Sequence, residues 1–293
     1  MPDTTTDRFS ESQEKILQCK IEASARYPAL WKRIITEWNA PDPQDRVWLT
    51  YSANYIFRTN NIRWAIDPLT LDGRLKIPPR VDVAKDLQNL SFVLLTHTHG
   101  DHLDLELISA LRSLPIIWVV PEYILPEVVG ETGLPQEQII VPSRLTSIEL
   151  NGLNILPFDG LHLETTPEGT TRGVPAMGYL IESRGRRWLF PGDTRTYDAS
   201  QLPRFDPPDI IFAHLWLGRA CALEDPTRLL DAFCQFCLDT RPRRIVLTHL
   251  NELGRDANDY WDEGHAQLVC SKFRNLSPDT PVSPLLTGDS TSL

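Results

Sequence analysis

Residues 97–102 read His97-Thr98-His99-Gly100-Asp101-His102, so three of the chain's seven histidines and one carboxylate fall within six positions. Neutral imidazole nitrogens and carboxylate oxygens are the donors that divalent cations such as zinc take. The bland alternative is a polar, histidine-rich surface loop. What precedes the cluster argues against it, because Phe92-Val93-Leu94-Leu95 has the apolar run of a buried strand. Side chains alternate along extended backbone, so His97 and His99 leave the chain on the same side. Gly100 lets the backbone turn, and Asp101 and His102 follow the turn. The cluster thus sits at the carboxyl end of a strand, where open α/β folds place their sites.

The same logic recurs downstream. His249 ends the apolar run Arg244-Ile245-Val246-Leu247-Thr248, and Asp193 follows Trp188-Leu189-Phe190-Pro191-Gly192. His162 comes a few residues after the run Leu153–Phe158, and Asp67 ends Arg63-Trp64-Ala65-Ile66. His214 closes Ile210-Ile211-Phe212-Ala213. A lone His or Asp after a strand is usually a surface or capping residue. Several strands that each deliver one to the same edge make that edge a candidate metal site.

The elements that must position these residues alternate between strands and helices, which argues a layered α/β architecture. Expected strands are 46–51, 55–58, 63–67, 92–95, 116–120, 138–141, 147–150, 153–158, 176–182, 187–190, 210–213 and 244–247. Asn60-Asn61 marks a hairpin turn between two of them. Helices are expected near 103–114, 123–130, 227–239 and 265–273. Ahead of all this, residues 1–9 read as a loose tail and 11–38 as a helix that Pro28 breaks or kinks. The division expected is 1–43, a tail and helical extension, and 44–293, the main domain. The carboxyl tail is rich in Pro, Ser and Thr.

Composition bounds the function. The chain has 293 residues, enough for a substantial core. With 29 basic and 39 acidic residues the formal charge is −10, which disfavours long nucleic acid and anionic membrane surfaces as partners. No apolar run reaches membrane-spanning length, and the polar amino terminus lacks the pattern of a secretion signal. The odd set Cys19, Cys221, Cys234, Cys237 and Cys270 forms no disulfide framework. Cys234 and Cys237 lie in a helical, apolar context that suits buried thiols better than a metal or redox pair. A cytoplasmic protein is expected.

The order Asp67, His97-x-His99-x-Asp101-His102, His162, Asp193 and His249 resembles the metallo-β-lactamase superfamily over about residues 44–290. The resemblance implies an αββα sandwich with the site at one edge. It implies one metal held by His97, His99 and His162, a second held by Asp101, His102 and His249, and Asp193 bridging them. Asp67 is then the residue behind the ligands that orients the histidine loop. Two divalent ions are implied, zinc by default, with manganese or iron as alternatives. A water shared by two cations ionises near neutral pH, with a pKa of about 7, and its hydroxide attacks a carbonyl carbon or a phosphorus. Asp101 would orient that nucleophile.

Among the branches, the segment Gly173-Val174-Pro175-Ala176-Met177-Gly178-Tyr179-Leu180-Ile181-Glu182, leading to Pro191-Gly192-Asp193-Thr194, looks most like the branch of L-ascorbate-6-phosphate lactonases and N-acyl phosphatidylethanolamine phospholipase D. That branch usually has Gly-His-Ala in the first strand, where this chain has Tyr51-Ser52-Ala53-Asn54. The expected activity is hydrolysis of a small ester, lactone or phosphodiester. The competing readings are a nuclease or cyclic-nucleotide phosphodiesterase, and a non-catalytic binding protein on the same fold. His214 is a candidate proton donor to the leaving group, with a structural histidine as the alternative. His265 reads as a helix start more than a pocket residue. Arg172 and Arg219 are candidates to hold an anionic group, though ordinary surface arginines are the simpler and preferred reading. Neither the substrate nor the oligomeric state is legible.

Overall fold

The computed structural model describes residues 4–77, 81–166 and 169–293. It opens with α1 (Thr4–Asn39), a helix that runs unbroken through Pro28. The expected tail is therefore helical from Thr4, and its first three residues lie outside the described ones. The reason is packing. Tyr27, Trp31, Ile34 and Trp38 recur at helical spacing and are all buried. Each such burial contributes about 1.5–3 kcal/mol, which together outweighs the roughly 3 kcal/mol that an interior proline costs. Trp38 Nε1 also donates to the Phe57 carbonyl at 2.8 Å, tying the helix to the first sheet.

Strands β1 (Arg46–Tyr51), β2 (Asn54–Thr59) and β3 (Ile62–Ile66) form an antiparallel meander. Asn60 and Asn61 join the last two with φ of 52° and 65°, the left-handed conformation that tight hairpins require and asparagine tolerates. Two short helices follow, α2 (Leu71–Leu75) and α3 (Val83–Asp86). Then come β4 (Phe92–Leu94), α4 (Leu105–Leu111), β5 (Ile117–Val119), α5 (Leu125–Thr132) and β6 (Ile139–Ile140). The pairs from β3 to β6 are all parallel.

The second half supplies β7 (Ile148–Leu150), β8 (Leu153–Asp159) and a small hairpin of β9 (Glu164–Thr165) and β10 (Thr171–Arg172). It continues with β11 (Met177–Ser183), β12 (Arg186–Phe190), β13 (Ile210–His214) and α6 (Leu230–Asp239). The chain ends with β14 (Arg244–Thr248), α7 (Glu263–Leu276), β15 (Val282–Pro284) and β16 (Ser290–Ser292). The Pro-, Ser- and Thr-rich end is thus no tail. It adds one strand to each large sheet, β16 beside β1 and β15 beside β14.

The two sheets have orders β16-β1-β2-β3-β4-β5-β6 and β15-β14-β13-β12-β11-β8-β7. Alternation along the strands builds the layers. Val47, Leu49, Tyr55, Phe57, Trp64 and Ile66 face the second sheet, while Trp48, Ile56 and Ala65 face α1 and its neighbours. In the second sheet Trp188, Phe190, Ile210 and Phe212 point inward, and Leu189, Ile211 and Ala213 point to α6 and α7. The result is the expected αββα sandwich. Among the described residues no helix is long and apolar enough to cross a membrane.

One topological fact positions the site. Strands β3 and β4 are parallel, as are β12, β13 and β14. Strand β8 runs in the same direction as β12, because each is antiparallel to β11. The carboxyl ends of all these strands therefore come out at one edge in each sheet. Asp67, His97, His162, Asp193, His214 and His249 follow or close those ends.

Candidate metal centre

The loop after β4 carries His97, His99, Asp101 and His102, and the other strand ends meet it. Four overlapping groups have one donor atom per residue within 4.8 Å of one another: His97-His99-His162-Asp193, Asp67-His97-His102, Asp101-His102-His249 and His102-Asp193-His214. Every one of these side chains is buried except His99, which is half-buried. His265, Arg172 and Arg219 are not among them.

The donor spacing is that of ligands sharing an ion. Atoms at tetrahedral vertices about 2.0–2.1 Å from a zinc stand about 3.3–3.4 Å apart. His162 Nε2 lies 3.2 Å from His99 Nδ1, and His249 Nε2 lies 3.2 Å from Asp101 Oδ2. His102 Nε2 lies 3.3 Å and His97 Nε2 3.8 Å from the two oxygens of Asp193. His97 Nε2 and His102 Nε2 are buried with no hydrogen-bond partner. A buried polar atom left unpaired costs about 1–3 kcal/mol, and a cation between these side chains would remove that cost. The residues present fit such a group.

Electrostatics agree. Burial, and then the neighbouring His102, holds His97 well below the ordinary imidazole pKa. Burial likewise lowers His99 and pushes His162 down to about 3. These rings are neutral at physiological pH, the form that coordinates metal. His102 is the exception. Burial works against its cation, yet Asp193, Asp67 and Asp101 together raise its pKa well above the usual value. Burial also opposes the charge on Asp193, but His249, His102 and His214 hold it far below the carboxylate range. The centre of the cluster is a place that favours positive charge.

Behind the donors lies a layer of anchors. Asp67 accepts from the Thr96 amide at 2.8 Å and lies 2.8 Å from His102 Nδ1. Thr96 Oγ1 lies 2.9 Å from His97 Nδ1. Both outward ring nitrogens are thus held, leaving each Nε2 directed inward. Asp67 and His249 have φ of 43° and 65°, a left-handed backbone that non-glycine residues adopt at some cost.

Three contributors carried no sequence signal as site residues. Asn54 donates from Nδ2 to the carbonyls of Asp67 and Asp101 at 2.8 and 2.9 Å, so one side chain pins both loops. Arg255 Nη2 lies 2.8 Å from Asp101 Oδ2. Arg195 lines a small cavity with His99, His162, Asp193, His214 and Arg255. The departure noted at Tyr51-Ser52-Ala53-Asn54 therefore falls on a segment that holds the site together, since the Ser52 carbonyl also accepts from the His249 amide at 2.7 Å.

His214 is brought to the cluster, but both of its ring nitrogens are engaged. Nδ1 lies 2.8 Å from Asp193 Oδ1, and Nε2 lies 3.0 Å from the Tyr55 hydroxyl. Burial pushes its pKa down to about 4. A ring held at both ends matches the structural-histidine alternative, in which His214 orients Asp193. His265 caps α7 instead: the Asp262 side chain accepts from the His265 amide, His265 Nδ1 lies 2.8 Å from Asp262 Oδ1 and Nε2 lies 2.8 Å from the Ala222 carbonyl oxygen. Arg172 and Arg219 are exposed. Cys234 and Cys237 are buried free thiols on α6, and burial raises the pKa of both.

Comparison with known proteins gives a consistent result. Residues 65–250 match the family model described as beta-lactamase superfamily domain. A UPF0173 metal-dependent hydrolase from Saccharolobus solfataricus is 29% identical over 145 residues, covering 49% of this chain and 61% of that protein. The match thus spans less than two thirds of the archaeal relative's length. A UPF0173 metal-dependent hydrolase from Deinococcus radiodurans is 27% identical over 190 residues, covering 64% of this chain and 76% of that protein. The metallo-beta-lactamase fold protein YhfI from Bacillus subtilis superposes with a TM-score of 0.59 at 14% identity, over 85% of this chain and 100% of that one. This last likeness concerns the fold.

Proposed function

The chain belongs to the beta-lactamase superfamily, and from that premise we propose that it is a metal-dependent hydrolase of a small ester, lactone or phosphodiester. One observation carries the proposal. Imidazoles and two buried carboxylates converge, with the unpartnered Nε2 atoms of His97 and His102 turned toward Asp193. His97, His99 and His162 would form one cation seat, Asp101, His102 and His249 the other, with Asp193 between them. Two divalent cations, when bound there, would acidify a water and polarise the electrophile.

The chain's own residues do the rest. Asp101, held by Arg255 at 2.8 Å, is placed to accept a hydrogen bond from the attacking water and orient it. His214 fixes one oxygen of Asp193, and so acts as a positioning residue. Asp67 fixes the tautomer of His102 by occupying Nδ1. Asn54 holds the Asp67 and Asp101 backbones in register. A non-catalytic role on this fold would not require the complete set of donors.

The test is a panel of lactones, carboxylic esters and phosphodiesters, run on wild type and Asp101→Ala with metal content measured in parallel. Hydrolysis by wild type that falls at least a hundredfold in the variant is expected. Equal rates in the two proteins would sink the mechanism. Turnover of phosphodiesters alone would move the assignment to the phosphodiesterase alternative.

A further inference from the structure

Two guanidinium groups reach the cavity beside the cluster, Arg195 and Arg255. They differ in one respect. Arg255 is neutralised, with Nη2 2.8 Å from Asp101 Oδ2 and Nε 3.6 Å from Glu252 Oε2. Arg195 makes no ion pair among the described residues, and its buried Nε has no acceptor.

Arg195 is nonetheless held in place. Its guanidinium carbon lies 5.0 Å from the centroid of the Trp216 ring, a stacking contact that sets the plane of the fork. Its amide donates to the Leu161 carbonyl at 2.8 Å, which places it beside His162. Gly173 closes over it at φ +75°, and a Cβ there would fall 2.9 Å from Arg195 Nε. An oriented, partly buried and unneutralised cation is costly by itself. It becomes favourable once an oxyanion completes it, and the planar fork matches a carboxylate or a phosphate.

Building on the hydrolase reading above, we propose that Arg195 seats an anionic group of the substrate, so that the compound cleaved carries a carboxylate or phosphate apart from its scissile bond. The cleavage site would lie at the histidines and the anion at Arg195. Among the described residues that line the cavity no second cation is free to take it, because Arg255 is engaged with Asp101.

The experiment compares wild type, Arg195→Met and Arg195→Lys on p-nitrophenyl acetate and p-nitrophenyl hemisuccinate. Melting temperature is recorded in parallel with succinate and, separately, with inorganic phosphate. Wild type is expected to favour the hemisuccinate, and Arg195→Met to lower that preference about ten- to a hundredfold through KM, the size of a lost charged hydrogen bond. Each stabilising anion should raise the wild-type melting temperature and not that of Arg195→Met, and the larger rise identifies carboxylate or phosphate as the better fit. Arg195→Lys keeps the charge and should fall between; it carries the comparison if the Met variant does not fold. The same ester preference and the same anion effect in all three proteins would overturn the anion seat and leave the hydrolase reading standing. No turnover of either ester, or of the lactones and phosphodiesters of the panel above, with an anion effect that depends on Arg195, would overturn the hydrolase reading and leave the seat.

Discussion

His214 Nδ1 stands 2.8 Å from Asp193 Oδ1, while the opposite nitrogen of the same ring meets the Tyr55 hydroxyl at 3.0 Å. Tyr55 in turn lies 2.6 Å from Thr248 Oγ1. The ring is therefore a strut between the inner faces of the two sheets and the carboxylate at the centre of the cluster. Replacing His214 with Ala should weaken metal affinity by about 10–100-fold, the usual effect of removing a group that orients a ligand. A competition titration against a chelator measures this. A proton donor behaves differently, leaving metal affinity intact and moving only the alkaline limb of the rate profile.

Asp67 serves two loops at once, taking the Thr96 amide and His102 Nδ1. Asp67→Asn keeps the shape and removes the charge. We expect metal affinity to fall by about tenfold or more, with partial loss of stability because the buried Thr96 hydroxyl also bonds this carboxylate. Comparing Asp67→Asn with Asp67→Ala separates lost charge from a lost acceptor.

Glu252 is almost wholly buried and accepts from Arg74 Nε and Nη2 at 2.8 and 3.1 Å, from the Tyr51 hydroxyl at 3.1 Å and from the Gly254 amide at 3.1 Å. Removing one partner of a buried ion pair costs about 3–5 kcal/mol. Glu252→Ala should approach that loss in urea unfolding, and it should also loosen Arg255, which reaches both Glu252 and Asp101.

The cap of α7 predicts a pH dependence of stability away from the cluster. Burial disfavours the His265 cation, but Asp262 and the Ala222 carbonyl outweigh it and raise the pKa. The His265 bond to Asp262, opposed by burial, lowers the Asp262 pKa. A raised histidine contributes fully below its unfolded pKa of about 6.5 and loses that contribution as pH rises through the folded value. A lowered aspartate contributes fully above its unfolded pKa of about 3.9 and loses that as pH falls. The pair should therefore add most between about pH 4 and 6.5. His265→Ala should cost about 1 kcal/mol in that window and less at pH 9. A cost independent of pH would contradict the assignment.

Much of this arrangement is legible in the amino-acid sequence. Apolar runs ending in His or Asp are visible as such, and parallel strands must bring those ends to one edge. Other parts had no local signature. Ser290–Ser292 forms an edge strand of polar residues whose partner, Arg46–Trp48, lies at the far end of the chain. Pro28 reads as a breaker, and only the buried face of α1 overrules it. Asn54, Arg195 and Arg255 look like ordinary polar residues until tertiary contacts show what they face. His214 was visible as a histidine at a strand end, but its role depends on Tyr55, which sits on the opposite sheet.

The most direct test of the central claim is the stoichiometry of divalent metal on the purified chain, measured by elemental analysis after dialysis for wild type, His99→Ala and His249→Ala. Two equivalents in wild type are predicted, falling toward one in each variant as one seat is lost. A wild-type chain that binds no metal under saturating zinc, manganese or iron, or a stoichiometry unmoved by either substitution, would contradict the account.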